Sequence, residues 1–137
     1  MNIALMAHDN KKELMVQFCT AYAGILSRHN LYATNTTGHQ VTEGTGLKVH
    51  CFLTYAHGGN QQIGARIAYN EFDLVLFFND PTDEKREGDV TYISRLCDRS
   101  NIPFASNIAT AEMLVLGLAR GDLDWRMIVN PSQHPIA

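Results

Sequence analysis

The sequence predicts a single α/β domain in which one parallel β-sheet is covered by helices on both faces. Short runs that are apolar at every position, such as residues 74–78, are typical of strands buried on both sides. Longer segments with helical periodicity separate these runs, and this alternation is typical of a doubly wound sheet. The chain has 137 residues, 45% of them hydrophobic and 18% charged, which suits one compact domain.

The predicted strands are the five apolar runs at residues 3–7, 31–34, 49–53, 74–78 and 104–106. The predicted helices cover residues 9–28, 61–69, 89–99 and 109–119, and another helix is expected to begin near residues 34–38. In the first of these helices one apolar stripe consists of Leu14, Phe18, Tyr22, Ile25 and Leu26. Residues 125–129 fit either a final strand or the end of a helix, and a loose tail is predicted from about residue 130. Since no repeat or linker interrupts the chain, residues 1–137 are expected to form one domain.

Charge and hydropathy argue against several classes of protein. The formal net charge is −3 and no basic run occurs, so a nucleic-acid partner is not expected. No apolar run approaches the length of a membrane span, and the one before His8 is too short for a signal peptide, so no membrane partner is expected.

The cysteine and histidine spacing argues against a metal site and a disulfide framework. The cysteines, which never form a C-x-x-C motif, are Cys19, Cys51 and Cys97. Each lies in an apolar segment, so we expect buried thiols and a cytoplasmic protein. Three histidines also lack the spacing of metal ligands, namely His39, His50 and His57.

Polar segments follow every predicted strand. The carboxyl ends of parallel strands meet at one edge of such a sheet, and ligands bind there. The segments that follow the strands begin at His8, Thr34, Thr54, Asn79 and Asn107. Together they are expected to form one polar rim.

Two of these segments are candidate anion sites. Residues 34–38 bring three threonine hydroxyls and a glycine to a helix start, where free backbone N–H groups suit a phosphate. The alternative is simple N-capping by Thr36 or Thr37. Gly58 and Gly59 form either a second anion cradle or a tight turn with positive φ. Lys12 either reaches an anion over the strand ends or is merely solvated.

Three carboxylates and one histidine at the rim are candidates for proton transfer. Asp9, Asp80 and Asp89 each lie near a strand end or a helix start, and crowded carboxylates shift their pKa values. Asp89 could instead cap its helix. His8 is either a general acid, a group that orients a substrate carbonyl, or a structural residue.

Five collinear blocks resemble the methylglyoxal synthase family. They include Ala-His-Asp at residues 7–9, Thr-Asn-Thr-Thr-Gly at 34–38, Gly-Gly-Asn-Gln-Gln at 58–62, Phe-Asn-Asp-Pro at 78–81 and Ala-Ser-Asn-Ile-Ala-Thr-Ala at 105–111. The resemblance covers about residues 2–115. It implies a flavodoxin-like sheet in a cytosolic homohexamer that needs no metal or cofactor. The implied reaction converts dihydroxyacetone phosphate to methylglyoxal and inorganic phosphate, with phosphate as product or inhibitor.

The resemblance also implies roles for particular residues. The implied phosphate-binding set is Lys12, Thr34, Asn35, Thr36, Thr37 and Thr54, with Tyr55, Gly58 and Gly59 beside it. His8 would contact the substrate oxygens, and the three aspartates would form an acidic cluster around the reacting carbon. Arg95 matches an arginine linked to communication between subunits.

Three departures from the family pattern lie at the expected site. The family has a catalytic aspartate where this chain has Asn60, and a carboxamide cannot act as a base near neutral pH. The Ser-Gly-Pro of the family is Thr-Tyr-Ala at residues 54–56, which adds the Tyr55 ring. The family's Pro-His loop is replaced by a loop that is one residue shorter and ends at Asp89.

These departures leave two interpretations open. The chain is either a synthase whose base is Asp9, Asp80 or Asp89, or a module that binds a phosphorylated effector without chemistry. In the second interpretation, the chain resembles the effector-binding domain of carbamoyl-phosphate synthetase. A phosphoacceptor receiver domain is not supported, because the acidic pair and the lysine that it needs are missing at residues 8–9 and 107.

Overall fold

A computed structural model describes residues 1–129 of the chain. The strands are β1 Asn2–Ala7, β2 Asn30–Ala33, β3 Val49–Cys51, β4 Leu74–Phe78 and β5 Phe104–Ala105. The α-helices are α1 Lys12–Ala21, α2 Ala23–Leu26, α3 Asn35–Thr45, α4 Gly59–Ala68, α5 Glu87–Arg99, α6 Ile108–Ala119 and α7 Trp125–Val129. Short 3-10 helices lie at Asp9–Lys11, Tyr55–His57 and Glu84–Arg86. None of the helices in the described range is long and apolar enough to cross a membrane.

All five strands are parallel and lie in the order β3-β2-β1-β4-β5. The predicted doubly wound α/β sheet is therefore confirmed. The chain moves outward from β1 to β3 and then crosses to the other side of β1, so the direction of winding reverses between β1 and β4. Flavodoxin itself has the order 2-1-3-4-5, and its reversal point lies elsewhere in the sheet. In both arrangements, the crevice at the reversal point is where ligands bind.

The core consists of two layers, one on each face of the sheet. β1 shows how the layers arise, because its side chains alternate between them. Ile3 and Leu5 pack with residues of α1, α3 and α6, while Ala4 and Met6 pack with residues of α4 and α5. Every residue of β4 is buried. The prediction of strands covered on both sides is confirmed.

Several predicted boundaries were wrong for local reasons. The long first helix is split at Tyr22, where φ is −110° and the α-helical backbone ends. α4 starts two residues before the predicted position, because Gly58 takes a left-handed conformation with φ of 93° and ends the preceding turn. Residues 125–129 form α7 rather than a strand. The loose tail predicted from about residue 130 lies outside the described residues.

A buried ion pair attaches α7 to the rest of the domain. Arg126, on α7, is 1% exposed and donates from Nε to Oδ1 of Asp73 at 3.0 Å. Its other nitrogens donate to the carbonyl oxygens of Asn101 and Phe72 and to Oδ1 of Asn70. Sequence reasoning missed this network because Asp73 and Arg126 lie far apart in the chain.

The cysteines are mostly buried, as predicted. Cys19 and Cys97 are fully buried, and burial raises the pKa of each thiol to about 12. Cys51 lies at the end of the edge strand β3 and is only half-buried, so the prediction is confirmed for two of the three thiols.

Candidate active site

A small cavity lies at the carboxyl end of β1, next to the point where the sheet reverses. Its lining combines the apolar residues Met6, Ala7 and Phe77 with seven polar, charged or aromatic ones: His8, Lys12, Thr34, Tyr55, Asn60, Arg86 and Asp89. The enclosed volume is about 20 Å³. Of the predicted site residues, six therefore meet in one place, and they come from the segments that follow four different strands.

His8 presents a free hydrogen-bond donor to this cavity. The residue is 2% exposed, and its Nδ1 accepts a hydrogen bond from the backbone N–H of Asp80 at 2.9 Å. Because Nδ1 is an acceptor, the proton of the neutral ring lies on Nε2. Nε2 is buried and has no partner within the described residues.

Asp89 supplies the matching free acceptor. α5 begins at Glu87, so Asp89 lies within its first turn and is not the capping residue that the sequence allowed. Its Oδ2 is buried without a hydrogen-bond partner. In the described part of the chain, His8 Nε2 and Asp89 Oδ2 are the buried side-chain polar atoms that lack partners, and both residues line the same cavity. Buried polar groups are rarely left unpaired in folded proteins, so we expect both atoms to form hydrogen bonds with a bound ligand.

Asp80 is bound to the protein rather than free. One carboxylate oxygen accepts from the backbone N–H of Thr82 at 2.9 Å and from its hydroxyl at 2.7 Å, and the other accepts from Asn10. The hydrogen bond from the Thr82 hydroxyl is the main cause that lowers the pKa of Asp80. A carboxylate that is held ionised in this way is a weak base. Its hydrogen bonds instead stabilise the loop in which the backbone N–H of Asp80 donates to His8.

Asp9 lies outside the cavity. Its side chain is 71% exposed, and its Oδ1 lies 3.2 Å from Nη1 of Arg86 and 3.8 Å from Nζ of Lys12. The three predicted carboxylates are thus in three different situations, and only Asp89 offers a free oxygen to the cavity.

Lys12 is fixed in position by two hydrogen bonds. Nζ donates to the carbonyl of Ala7 at 2.9 Å and to Oγ1 of Thr37 at 3.0 Å. Burial is the main cause that lowers its pKa, although Asp9 acts in the opposite direction. An anion bound beside Lys12 would favour the charged form of the amine. Lys12 is therefore not the merely solvated lysine of the alternative interpretation.

The start of α3 faces the same region. Thr34 is the N-cap residue, with extended backbone and no side-chain cap bond, so the prediction that Thr36 or Thr37 caps the helix was wrong. The backbone N–H of Asn35 donates to the carbonyl of Leu53 at 3.2 Å. The N–H groups of Thr36 and Thr37 are in the first turn, where a helix offers them no acceptor.

The third rim segment positions Asn60. Gly58 has the positive φ that the turn interpretation predicts, and Gly59 packs so closely on the Leu53 carbonyl that a Cβ would collide with it. Asn60 follows at the start of α4, is 8% exposed and lines the cavity. Thr54 does not line it, because its hydroxyl forms a 2.7 Å hydrogen bond with Nδ1 of His57.

Arg86 lines the cavity although the sequence argument assigned it no role. Its guanidinium lies 3.9 Å above the centre of the Tyr55 ring, and both side chains line the cavity. In the sequence, the only indication was that the loop before Asp89 differs from the family pattern. That difference does not reveal that the Arg86 side chain points into the cavity.

Arg95 lies away from the cavity. It borders a groove on the outer side of α5, together with Glu84, Glu87, Gly88, Thr91, Tyr92, Leu96 and Arg99. No group of three or more His, Cys, Asp or Glu residues within residues 1–129 is arranged to hold a metal ion.

Comparisons with known proteins identify the family of this chain. A family model described as "MGS-like domain" matches residues 14–106. The methylglyoxal synthase of Caldicellulosiruptor saccharolyticus is 62% identical over 132 residues, which cover 96% of this chain and 94% of that protein. The methylglyoxal synthase of Oceanobacillus iheyensis is 53% identical over 135 residues, which cover 98% of this chain and 96% of that protein.

A solved structure gives the same result for the fold. The crystal structure of methylglyoxal synthase from Elizabethkingia anophelis superposes with a TM-score of 0.75 at 38% identity, covering 83% of this chain and 76% of that one. The resemblance inferred from the five sequence blocks is confirmed. This chain belongs to the methylglyoxal synthase family.

Proposed function

We propose that this protein is a carbon–oxygen lyase that converts dihydroxyacetone phosphate to methylglyoxal and inorganic phosphate. The relatives that match almost its whole length are named for this activity. One observation about the site supports it most directly. A free donor, His8 Nε2, and a free carboxylate oxygen, Asp89 Oδ2, are buried beside Lys12 in one cavity at the strand ends.

Asp89 is the proposed base. The reaction begins with removal of a proton from the carbon next to the carbonyl, and the base must be an unpaired carboxylate near that carbon. Asn60 has no basicity, Asp80 is saturated with hydrogen bonds, and Asp9 lies outside the cavity. Asp89 Oδ2 accepts no hydrogen bond from the described residues, so its lone pairs are free to take the proton.

His8 is the proposed partner of the carbonyl oxygen. As the proton leaves carbon, negative charge develops on this oxygen, and a fixed N–H donor stabilises the enediolate more than the ketone. The Asp80 N–H keeps the imidazole in the tautomer with a proton on Nε2. Asn60, buried beside it, can donate a further hydrogen bond from its amide group.

The phosphate is proposed to bind at Lys12 and the start of α3. The Thr34 side chain, the first-turn N–H groups of Thr36 and Thr37 and the side chain of Asn35 provide uncharged donors next to the ammonium group. Thr54, Gly58 and Gly59 extend the same rim. Mostly uncharged donors explain how a chain with a net charge of −3 can still bind an anion.

The bond changes follow from these positions. Asp89 takes the proton, and its C–H electron pair forms the enediolate double bond. The hydroxyl on the deprotonated carbon then gives up its proton to the departing phosphate and becomes the aldehyde, while the double bond shifts toward the carbon that carries the phosphate ester. The C–O bond of the ester breaks, its oxygen leaves with the bonding pair as inorganic phosphate, and the enol of methylglyoxal remains. That enol tautomerises to methylglyoxal. These steps move protons and release phosphate without an external oxidant or reductant, so no cofactor is part of the proposal.

The assembly and location that the family resemblance implies also belong to this proposal. We expect residues 1–137 to act as one domain within a cytoplasmic homohexamer. The position of Arg95 in a groove on the outer side of α5, away from the cavity, is suitable for contact with another subunit.

The test is turnover by the wild-type protein and the Asp89→Asn variant. Methylglyoxal and free phosphate should form in equal amounts from dihydroxyacetone phosphate, and the variant should lose about 10²–10⁴-fold in kcat. Phosphate binding, measured by calorimetry, should persist in the variant. Binding without any product in the wild type would instead support an effector-binding module.

A further inference from the structure

The cavity is closed in the described conformation. Its volume of about 20 Å³ holds roughly one water molecule, whereas ligand sites usually measure about 300–1,000 Å³. A three-carbon phosphate ester can enter only if part of the lining moves. Most of the lining is fixed, because it belongs to buried strand ends or is 8% exposed or less, as are Met6, His8 and Asn60.

Tyr55 and Arg86 are the parts of the lining that the fold restrains least. Tyr55 is 43% exposed, and the Arg86 side chain is 21% exposed. Each lies on a 3-10 helix of three residues rather than on a long element of the fold. Their contact is the stacking of the guanidinium on the ring, so they can move as a pair.

Asp9 marks a position for an oxyanion between two cations. The same oxygen, Oδ1, lies 3.2 Å from Arg86 Nη1 and 3.8 Å from Lys12 Nζ. The carboxylate is mostly exposed, so this pairing is weak and exchangeable. A phosphate dianion carries more charge than a carboxylate and matches the guanidinium with two parallel hydrogen bonds. It would therefore displace Asp9 from the two cations.

We propose that Arg86 is a substrate-binding residue that releases Asp9 and closes on the phosphate group of the ligand together with Lys12. The Tyr55 ring is its platform, because stacking on an aromatic face keeps a guanidinium oriented while it is partly desolvated. Tyr55 and Arg86 lie in two of the three places where the chain departs from the family pattern. The inference rests on the proposed phosphate site but not on turnover.

Calorimetric titration with inorganic phosphate tests this clamp without any chemistry. Arg86→Gln should weaken phosphate binding by about 10-fold, the effect of losing one charged hydrogen-bond partner. Arg86→Lys should recover part of this loss. Arg120→Gln, which removes an exposed arginine that pairs with Asp122, is the control for net charge and should bind phosphate like the wild type.

Two further variants separate binding from a structural role. Asp9→Asn removes the competing carboxylate and should strengthen phosphate binding, which a purely structural Arg86–Asp9 pair would not do. Tyr55→Leu should weaken phosphate binding in the same direction as Arg86→Gln, whereas Tyr69→Leu, at a tyrosine that is 79% exposed and does not line the cavity, is the control and should bind like the wild type. Thermal unfolding of each variant establishes that the fold is intact.

The outcomes distinguish this inference from the proposed function. Equal phosphate affinity in Arg86→Gln and the wild type would overturn the clamp, even if methylglyoxal is formed. Binding that depends on Arg86 without any product would support the clamp and reject the lyase activity. In an active enzyme, Arg86→Gln should raise KM for dihydroxyacetone phosphate by a similar factor and change kcat much less.

Discussion

The backbone N–H of Asp80 donates a hydrogen bond to Nδ1 of His8 at 2.9 Å, across two parallel strands. β1 and β4 are neighbours in the sheet, so the residues that follow them meet at its edge. The hydrogen bond places the imidazole proton on Nε2, which has no partner in the described part of the chain. A backbone group in a loop thus determines which atom of a buried histidine is free to contact a ligand.

The loop that carries this N–H depends on an ionised Asp80. Hydrogen bonds from Thr82 and Asn10 lower its pKa below the ordinary 3.8, so its ionised form stabilises the fold above that pH and less as the pH falls below it. Asp80→Asn should therefore destabilise the protein at pH 7, and the difference from the wild type should shrink toward pH 3. Urea unfolding at a series of pH values measures this.

The control for that series is Asp9→Asn, which removes a carboxylate that is 71% exposed. Its effect on the free energy of unfolding should stay small at every pH. A constant difference between Asp80→Asn and the wild type from pH 7 to pH 3 would contradict the assignment.

The family resemblance implies that Asn60 stands where the family has its catalytic aspartate, and Asn60→Asp places a carboxylate there. We expect kcat to rise by up to about 10²-fold, the lower end of what a positioned base contributes. Initial rates of methylglyoxal formation give the result. Asn60→Leu has similar size and no basicity, so it should not gain activity. An unchanged or lower rate for Asn60→Asp, with phosphate binding intact, would show that this position no longer faces the reacting carbon.

The pair of Arg126 with Asp73 should determine how firmly α7 is attached. Arg126→Leu leaves a fully buried carboxylate without its cation and should reduce the free energy of unfolding by about 3–5 kcal/mol. Arg66 pairs with Glu71 at 3.3 Å near the surface, so Arg66→Gln should change the free energy of unfolding by only about 0–1 kcal/mol. Denaturant unfolding compares the two, and equal effects would contradict this account.

Gly59 permits the close packing of α4 on the preceding strand end. A Cβ at this position would collide with the carbonyl of Leu53, so Gly59→Ala should reduce stability by about 1–3 kcal/mol and displace Asn60. Gly24→Ala is the matched control, since nothing lies within 4 Å of its Cβ position. It should be neutral or stabilising by less than about 1 kcal/mol. Similar melting temperatures for both variants would show that the backbone relaxes around the new methyl group.

Much of the architecture was predictable because it depends on local patterns. The apolar runs at β1 and β4 predicted strands covered on both sides, and the polar segments after them predicted one rim. α3 was harder to delimit, because it is rich in Thr and Gly and its buried residues are only Thr37, Gly38 and Val41. A helix with so few apolar side chains has little hydrophobic periodicity to detect.

The roles of the individual site residues depended on contacts between distant segments. In sequence, Asp9, Asp80 and Asp89 are equivalent, since each follows a strand or begins a helix. In the structure, one is exposed beside two cations, one is saturated by Thr82 and Asn10, and one has a free buried oxygen. Hydrogen-bond saturation is a property of the packed molecule, so no pattern along the chain could rank them.

The sequence by itself therefore determined the doubly wound sheet, the polar rim at the strand ends and the family, because periodicity and motif order are encoded locally. Only the tertiary structure decided that Asp89 and His8 line one cavity, that Arg86 stacks on the Tyr55 ring beside it, and that Arg126 pairs with Asp73. Each of these depends on the direction of a side chain between segments that are far apart in the chain. That direction is set by the packing of the whole domain.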